Sequence, residues 1–323
     1  VNESDLYKID SLAKNAISEE ATPGCQILIA KEGKIIFNKS YGYHTYSKKK
    51  KVDNSDIYDL ASVTKISATI PLLMKMVDDG KLNIDNTLGT YLELDTSNKS
   101  ALVIRDILAH QARLKSWISF YNSTLDDDTI KGVKVLRDTL YSFTESVIYP
   151  YKVADDIYLH FSYPDSILNI IKYSELRENE GYKYSDLGYY LLKEIIEEHY
   201  GNELNQLTSN YFYDKLGMEN LGYLPLDRIE KTRIIPTEQD YLYRSQLING
   251  YVHDQGAAML GGVGGHAGVF SNANDLAKIM QMYLNYGEYG GEKYISKETV
   301  KEFTKCQFCN NDNRRGAGFD KPA

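Results

Sequence analysis

The stretch from Asp5 to Tyr43 constrains the fold more tightly than any other part of the chain. Leu6, Ile9, Leu12, Ala16 and Ile17 recur at helical spacing, so Asp5 to Glu19 reads as an amphipathic helix that Pro23-Gly24 ends. Two β-rich runs follow, Cys25 to Ala30 and Lys34 to Tyr43, joined by Lys31-Glu32-Gly33, a hairpin signal. A helix leading into an antiparallel hairpin implies a sheet with helices packed on it. Ser62 to Asp79 is the next predicted helix, stopped by Gly80.

From there to about residue 230 the pattern is helical pieces and long polar connections, with little strand character. Leu187 to His199 is its clearest helix, with Leu191, Leu192, Ile195 and Ile196 on one face and Gly201 just past the end. Residues 115–181 are irregular and read as an insertion. The run Gly261-Gly262-Val263-Gly264-Gly265 precedes Val269-Phe270, and helices are expected again over Asp275 to Tyr286 and Lys297 to Lys305. The expected fold is therefore α/β of the α+β kind, an antiparallel sheet flanked by helices with an inserted, mainly helical domain. Residues 1–80 and 231–323 would form the sheet domain, and 81–230 the insertion.

Composition narrows the function. Across 323 residues, 42% are hydrophobic and 25% charged, ordinary for a globular protein with a substantial core. A net charge of −8 argues against a nucleic-acid partner. The one basic run, Lys48 to Lys51, reads as a solvated turn. No segment approaches the roughly 20 apolar residues needed to span a bilayer. The opening Val1-Asn2-Glu3-Ser4-Asp5 shows no leader pattern, which is consistent either with a cytoplasmic protein or with a leader already removed.

Three cysteines are not a disulfide framework. Cys306 and Cys309 have zinc-ligand spacing, yet no second Cys or His pair follows. A local disulfide or two plain thiols is the better reading, and no metal or cofactor is expected. The 28 tyrosines against 9 phenylalanines suit half-buried packing more readily than a carbohydrate groove.

The chemistry gathers at Ser62-Val63-Thr64-Lys65. A nucleophilic serine needs a base, and a lysine three residues on lies one helical turn along the same face. A serine in a first turn also sits where free backbone N–H groups would steady a developing oxyanion. The spacing alone is weak, since Ser11/Lys14 and Ser47/Lys50 share it. Ser62 differs by opening an apolar helix (Ile66, Ile70, Leu73, Met76) directly after Tyr58-Asp59-Leu60-Ala61. The competing explanation is an ordinary helix cap.

A second cluster, Tyr184-Ser185-Asp186, lies just before the Leu187 helix. Tyr184 near a lysine would relay protons, and Asp186 would orient the lysine and bind substrate. Ser185 or Asp186 would also serve as a helix cap, which does not conflict with that role.

Together these segments resemble the serine β-lactamase family in its broad sense, which includes class C β-lactamases, D-Ala-D-Ala carboxypeptidases and related esterases. Asp59 to Lys65 is similar to the nucleophile segment, and Gly80-Lys81-Leu82-Asn83-Ile84-Asp85 to the turn that follows its helix. Ile104 to His110 resembles a segment that usually continues Ser-Gly-Leu. Here it continues Gln111-Ala112-Arg113-Leu114, with Arg113 where glycine is usual. Tyr184 to Tyr189 matches the second motif, and Leu216-Gly217-Met218 a turn beyond it.

Val252-His253-Asp254 through Gly265-His266-Ala267-Gly268-Val269-Phe270-Ser271 resembles the glycine-rich floor of the site. It is similar to the version in lactamase-like domains fused to family 3 glycoside hydrolases, so fusion to or association with such a hydrolase is a further expectation. The resemblance implies Ser62, Lys65 and Tyr184 as catalytic, and Asp186, Gly265 and His266 as substrate-binding.

The family's third motif, Lys- or His-Thr-Gly on a late strand, is not evident. His266-Ala267-Gly268 is followed by Asn272 to Asp275 and a helix, so His266 is placed on the floor, and the closing strands are expected beyond Ala323.

The implied activity is hydrolysis of an amide or ester through a Ser62 acyl-enzyme. The substrate would be a peptidoglycan stem peptide, a β-lactam or a small ester, and the location periplasmic or cell-envelope, with cytoplasm as the alternative. Two other functions stay open: a non-catalytic peptidoglycan-binding or sensor domain on the same fold, and an interaction scaffold using Cys306 and Cys309.

Overall fold

The computed structural model describes residues 3–94, 96–128, 133–311 and 313–322. Helix α1 (Glu3–Ser18) leads into the hairpin of β1 (Gly24–Lys31) and β2 (Lys34–Gly42), which pair antiparallel from Gly24↔Gly42 to Lys31↔Lys34 with a bulge at Ile29/Ala30. The two residues at the hairpin tip, Glu32 and Gly33, both have positive φ, the turn geometry that matches the twist of paired strands. The predicted helix and hairpin thus stand where the sequence placed them.

Strand β3 (Tyr58–Asp59) runs straight into the Ser62 segment. One turn of π-helix (Lys65–Thr69) then passes into α2 (Ile70–Asp78). Wide turns of this kind often mark functional sites. Ala68, Ile70, Leu72, Leu73 and Met74 are completely buried, so this helix is core on nearly every side. A short α3 (Ile104–Leu108) follows.

The middle of the chain departs from its helical reading. Strands β4 (Leu125–Asp128) and β5 (Val133–Leu136) form one antiparallel pair, while β6 (Tyr141–Ser142), β7 (Tyr151–Ala154) and β8 (Ile157–Leu159) form a three-stranded sheet. Runs of two to four residues are too short to show a period of two, which explains why the sequence pattern missed them. Residues 129–132 of the expected insertion lie outside the described residues.

Helices α4 (Tyr163–Tyr173), α5 (Leu187–Tyr200) and α6 (Leu204–Thr208) complete this half. Then come the pair β9 (Glu238–Gln239) and β10 (Leu247–Ile248), and helix α7 (Gln255–Met259). Strand β11 (Phe270–Ser271) pairs antiparallel with β3, so the glycine-rich run is drawn beside the Ser62 segment. Helix α8 (Ala273–Leu284), the small hairpin β12 (Glu288–Tyr289) and β13 (Glu292–Lys293), and α9 (Lys297–Thr304) close the described order.

Among the described residues, no helix is long and apolar enough to cross a membrane. Cys306 and Cys309 are joined to each other as a disulfide, and no group of metal-ligating side chains occurs there or elsewhere among the described residues.

One contact fixes the spacing of the site. Gly188 on α5 faces Ile107 on α3, and a Cβ at that glycine would lie 2.2 Å from the Ile107 Cγ2. Ile107 is 1% exposed and has no room to retreat. Gly188→Ala is therefore expected to overpack this contact and cost about 1–3 kcal/mol, read as a lower urea midpoint at unchanged slope. An unchanged midpoint would contradict the close approach of the two helices.

Candidate active site

Three pieces of chain meet at Lys65. Its Nζ donates to Ser62 Oγ at 2.8 Å and to Asp186 Oδ1 at 2.6 Å, with the His266 carbonyl oxygen at 3.4 Å. The ring faces of Tyr184 and Tyr189 lie 5.0 and 5.3 Å away. Lys65 is 3% exposed while Ser62 is exposed, so a buried cation sits beneath a nucleophile candidate that solvent reaches. Three acceptors around one nitrogen is the pattern of an ammonium group. A buried charge of this kind persists only when paired and hydrogen-bonded.

The first turn differs from the sequence expectation. The N–H groups of Val63, Thr64 and Lys65 are already taken by the carbonyls of Leu60, Ala61 and Ser62. Tight i→i+3 bonding at the helix start absorbs donors that an ordinary α-turn leaves free. Among the described residues, the Ser62 N–H has no acceptor, so it is the donor of this turn still open to an oxyanion.

The other expected site residues divide into two groups. Tyr184 and Asp186 stand directly against Lys65. Tyr184 meets it through its ring face, and among the described residues its hydroxyl has no partner. Gly265 and His266 lie behind Lys65 and are buried. The Gly265 carbonyl accepts from Thr69 Oγ1 at 2.6 Å, and a Cβ there would meet the Tyr189 carbonyl oxygen at 2.3 Å. Its lack of a side chain lets this stretch press against α5.

The His266 imidazole turns away from Lys65. Its Nε2 is 2.8 Å from Asp254 Oδ1, and its ring stacks on Tyr190 at 4.3 Å. Burial alone would raise the Asp254 carboxyl. The His266 ring, its hydrogen bond and the Ala257 N–H outweigh it and hold the group below the usual carboxylate range.

Several residues enter the site without having been singled out. The His110 ring lies tilted against Tyr184 at 4.4 Å, and its Nδ1 accepts the Ser185 N–H at 3.3 Å. Burial first, then the charges of Arg315 and Lys65, push His110 down to about 3. The Arg315 guanidinium lies 5.7 Å from the Tyr184 ring, and no sequence signal pointed to it. Asp59 accepts from Ala61 N–H and His253 N–H at 2.8 and 2.6 Å. Burial lifts its carboxyl above the ordinary range in spite of those two bonds.

Arg113 has φ +59, the left-handed region that favours glycine, and its Nε donates to the Arg177 carbonyl. His44 is buried against Asp56, its Nε2 2.8 Å from the carboxylate. A cavity of about 210 Å³ opens beside Asp186, walled by Trp117, Tyr121, Tyr190, Asp254 and Gln255.

The sequence model of the family described as "Beta-lactamase" matches residues 9–305. The chain belongs to the β-lactamase family. An Escherichia coli O157:H7 protein described as "Putative D-alanyl-D-alanine carboxypeptidase" is 32% identical over 309 residues, covering 87% of this chain and 64% of its own length. The chain thus spans about 64% of that curated relative.

Among solved structures, the octameric penicillin-binding protein homologue of Pyrococcus abyssi superposes with a TM-score of 0.64 at 20% identity, covering 93% of this chain and 60% of that one. The class C β-lactamase of Rhodobacter sphaeroides gives 0.60 at 15% identity, covering 91% and 69%. These likenesses establish the β-lactamase and penicillin-binding-protein fold, an α+β arrangement of helices with antiparallel strands.

His110 gives this β-lactamase-family site a pH signature. Its folded pKa lies below the unfolded value of about 6.5, so between the two the unfolded chain binds the extra proton. Stability therefore falls as pH drops from about 6.5 toward 3, by up to about 1.4 kcal/mol per pH unit. His110→Asn keeps an acceptor for Ser185 and tolerates the left-handed backbone at φ +59. Urea unfolding between pH 7 and 4.5 is expected to show a shallower loss in this variant than in the wild type. Parallel losses would contradict a buried neutral His110.

Proposed function

We propose that this chain is an acyl-transfer hydrolase in which Ser62 is the nucleophile. The observation that carries the reading is the buried Lys65 ammonium, bridging Ser62 Oγ at 2.8 Å and Asp186 Oδ1 at 2.6 Å. A plain helix cap would not need a buried cation held against its hydroxyl.

In the proposed reaction Ser62 Oγ forms a bond to a carbonyl carbon as its proton leaves. Lys65 takes that proton only as an amine, so it must first give one up, and Asp186 Oδ1 is an acceptor within reach. The proton then passes to the departing amine or alcohol. Water hydrolyses the resulting ester on Ser62 by the same route in reverse. The Ser62 N–H is the donor at hand for the tetrahedral oxyanion. Tyr184, whose ring faces Lys65 and lies close to His110 and Arg315, would hold the lysine in line and join the proton transfers by turning its hydroxyl inward.

The substrate class that fits is an amide or ester. The names carried by the relatives favour a peptide ending in D-alanine or a β-lactam. The cavity beside Asp186, with Trp117 and Tyr190 in its walls, would take the acyl side chain. A peptidoglycan-derived substrate would also place the protein in the cell envelope.

Intact mass after incubation with a fluorophosphonate, and separately with a penicillin, tests the reading. One adduct mapping to the Ser62 peptide is expected, and none after Ser62→Ala. A persisting adduct in Ser62→Ala would assign the nucleophile elsewhere. No adduct on the wild type would favour a non-catalytic binding domain.

A further inference from the structure

The residue just before Ser62 holds a backbone conformation that its side chain disfavours. Ala61 has φ +45, in the left-handed region where a Cβ crowds the following carbonyl. From this turn Ser62 Oγ meets Lys65 Nζ at 2.8 Å, so the disfavoured conformation must be held in place.

Asp59 supplies the restraint. Its Oδ1 accepts the Ala61 N–H at 2.8 Å, and its Oδ2 accepts the His253 N–H at 2.6 Å. The first bond is local, two residues along the chain. The second reaches 194 residues away and ties the turn to a separate segment. That segment is fixed from behind: Arg244, 2% exposed, donates to the Val252 and His253 carbonyls at 2.8 Å each. Asp240 holds the Arg244 Nε at 2.8 Å. On the other flank, the Leu60 N–H donates to the Val269 carbonyl at 2.9 Å. The Ala61 turn is thus suspended between two anchored strips of chain, with the Asp59 carboxylate as the link to one of them.

We propose that Asp59 is a positioning residue, clamping Ala61 in its left-handed turn so that Ser62 Oγ is presented to Lys65. This rests on the reading of Ser62 as nucleophile. Asp59 need not touch the substrate, and its effect passes through the backbone. A carboxylate that merely ended strand β3 would have no connection to the conformation at residue 61. A clamp has a specific one: glycine at 61, which adopts positive φ freely, makes the clamp dispensable.

The test is the second-order rate of fluorophosphonate labelling, followed by intact mass, with thermal midpoints measured alongside. It compares the wild type, Asp59→Ala, Asp59→Asn, Ala61→Gly and the double variant Asp59→Ala/Ala61→Gly. Asp59→Ala is expected to slow labelling about ten- to a hundredfold, the scale of a small misplacement of a reacting group. Asp59→Asn keeps an oxygen for Ala61 but sets an NH₂ against the His253 N–H, so an intermediate rate is expected. Ala61→Gly should label near the wild-type rate, and the double variant should recover most of what Asp59→Ala loses.

Wild-type labelling in Asp59→Ala would overturn the inference, as would a double variant as slow as Asp59→Ala. If Asp59→Ala does not fold, Asp59→Asn with and without Ala61→Gly makes the same comparison. A wild type that gains no Ser62 adduct overturns the nucleophile reading itself, which separates that failure from failure of the clamp.

Discussion

A lysine ammonium withdrawn from water is the constraint around which this structure is arranged. Moving such a group into a protein interior costs several kcal/mol even after relaxation, so Lys65 must be met by groups of the right sign and direction. The structure supplies one carboxylate, one hydroxyl, one carbonyl and two ring faces, drawn from three distant segments. Each segment is delivered by a different device. Strand β3 and the tight turn after it bring Ser62, the start of α5 brings Tyr184 and Asp186, and the pairing of β11 with β3 brings the glycine-rich strip. The bare backbone of Gly265 lets that strip lie against Tyr189 closely enough for the next carbonyl to approach Lys65.

Two histidines stand near this cluster. His110, buried beside Tyr184, is held neutral by burial and by the nearby Arg315 and Lys65 charges. His266 is tied to Asp254 and stacked on Tyr190. Lys65 and Asp186 are left as the closely paired charges next to the serine. In the proposed reaction an ammonium so placed orients the Ser62 oxygen but cannot accept its proton until it has lost one, which would tie reactivity to proton movement within the cluster.

Much of this was legible in the sequence, for identifiable reasons. The helix and hairpin at the start follow hydrophobic spacing and turn chemistry, which are local. Ser62, Lys65, Tyr184 and Asp186 stood out because their motifs sit at helix starts, and the structure brings all four together. Other features depend on three-dimensional placement and left no local mark. Tyr184 offers its face rather than its hydroxyl, and the His266 ring points away from Lys65 while its carbonyl points toward it. Arg315 reaches Tyr184 from a segment with no motif. The strands between residues 125 and 159 are too short to show alternation. Arg113, where glycine is usual, keeps the left-handed backbone that glycine would favour and hydrogen-bonds to Arg177, so the substitution leaves the local turn intact.

The most direct test of the central claim is a crystal structure of the protein with a boronic acid, which forms a tetrahedral adduct with a reactive hydroxyl. The account predicts boron bonded to Ser62 Oγ, one boronate oxygen within hydrogen-bond distance of the Ser62 N–H, and Lys65 Nζ still bridging Ser62 and Asp186. Boron on another residue, or bound without a bond to Ser62 while Lys65 keeps its present contacts, would show that the buried lysine supports structure rather than acyl transfer.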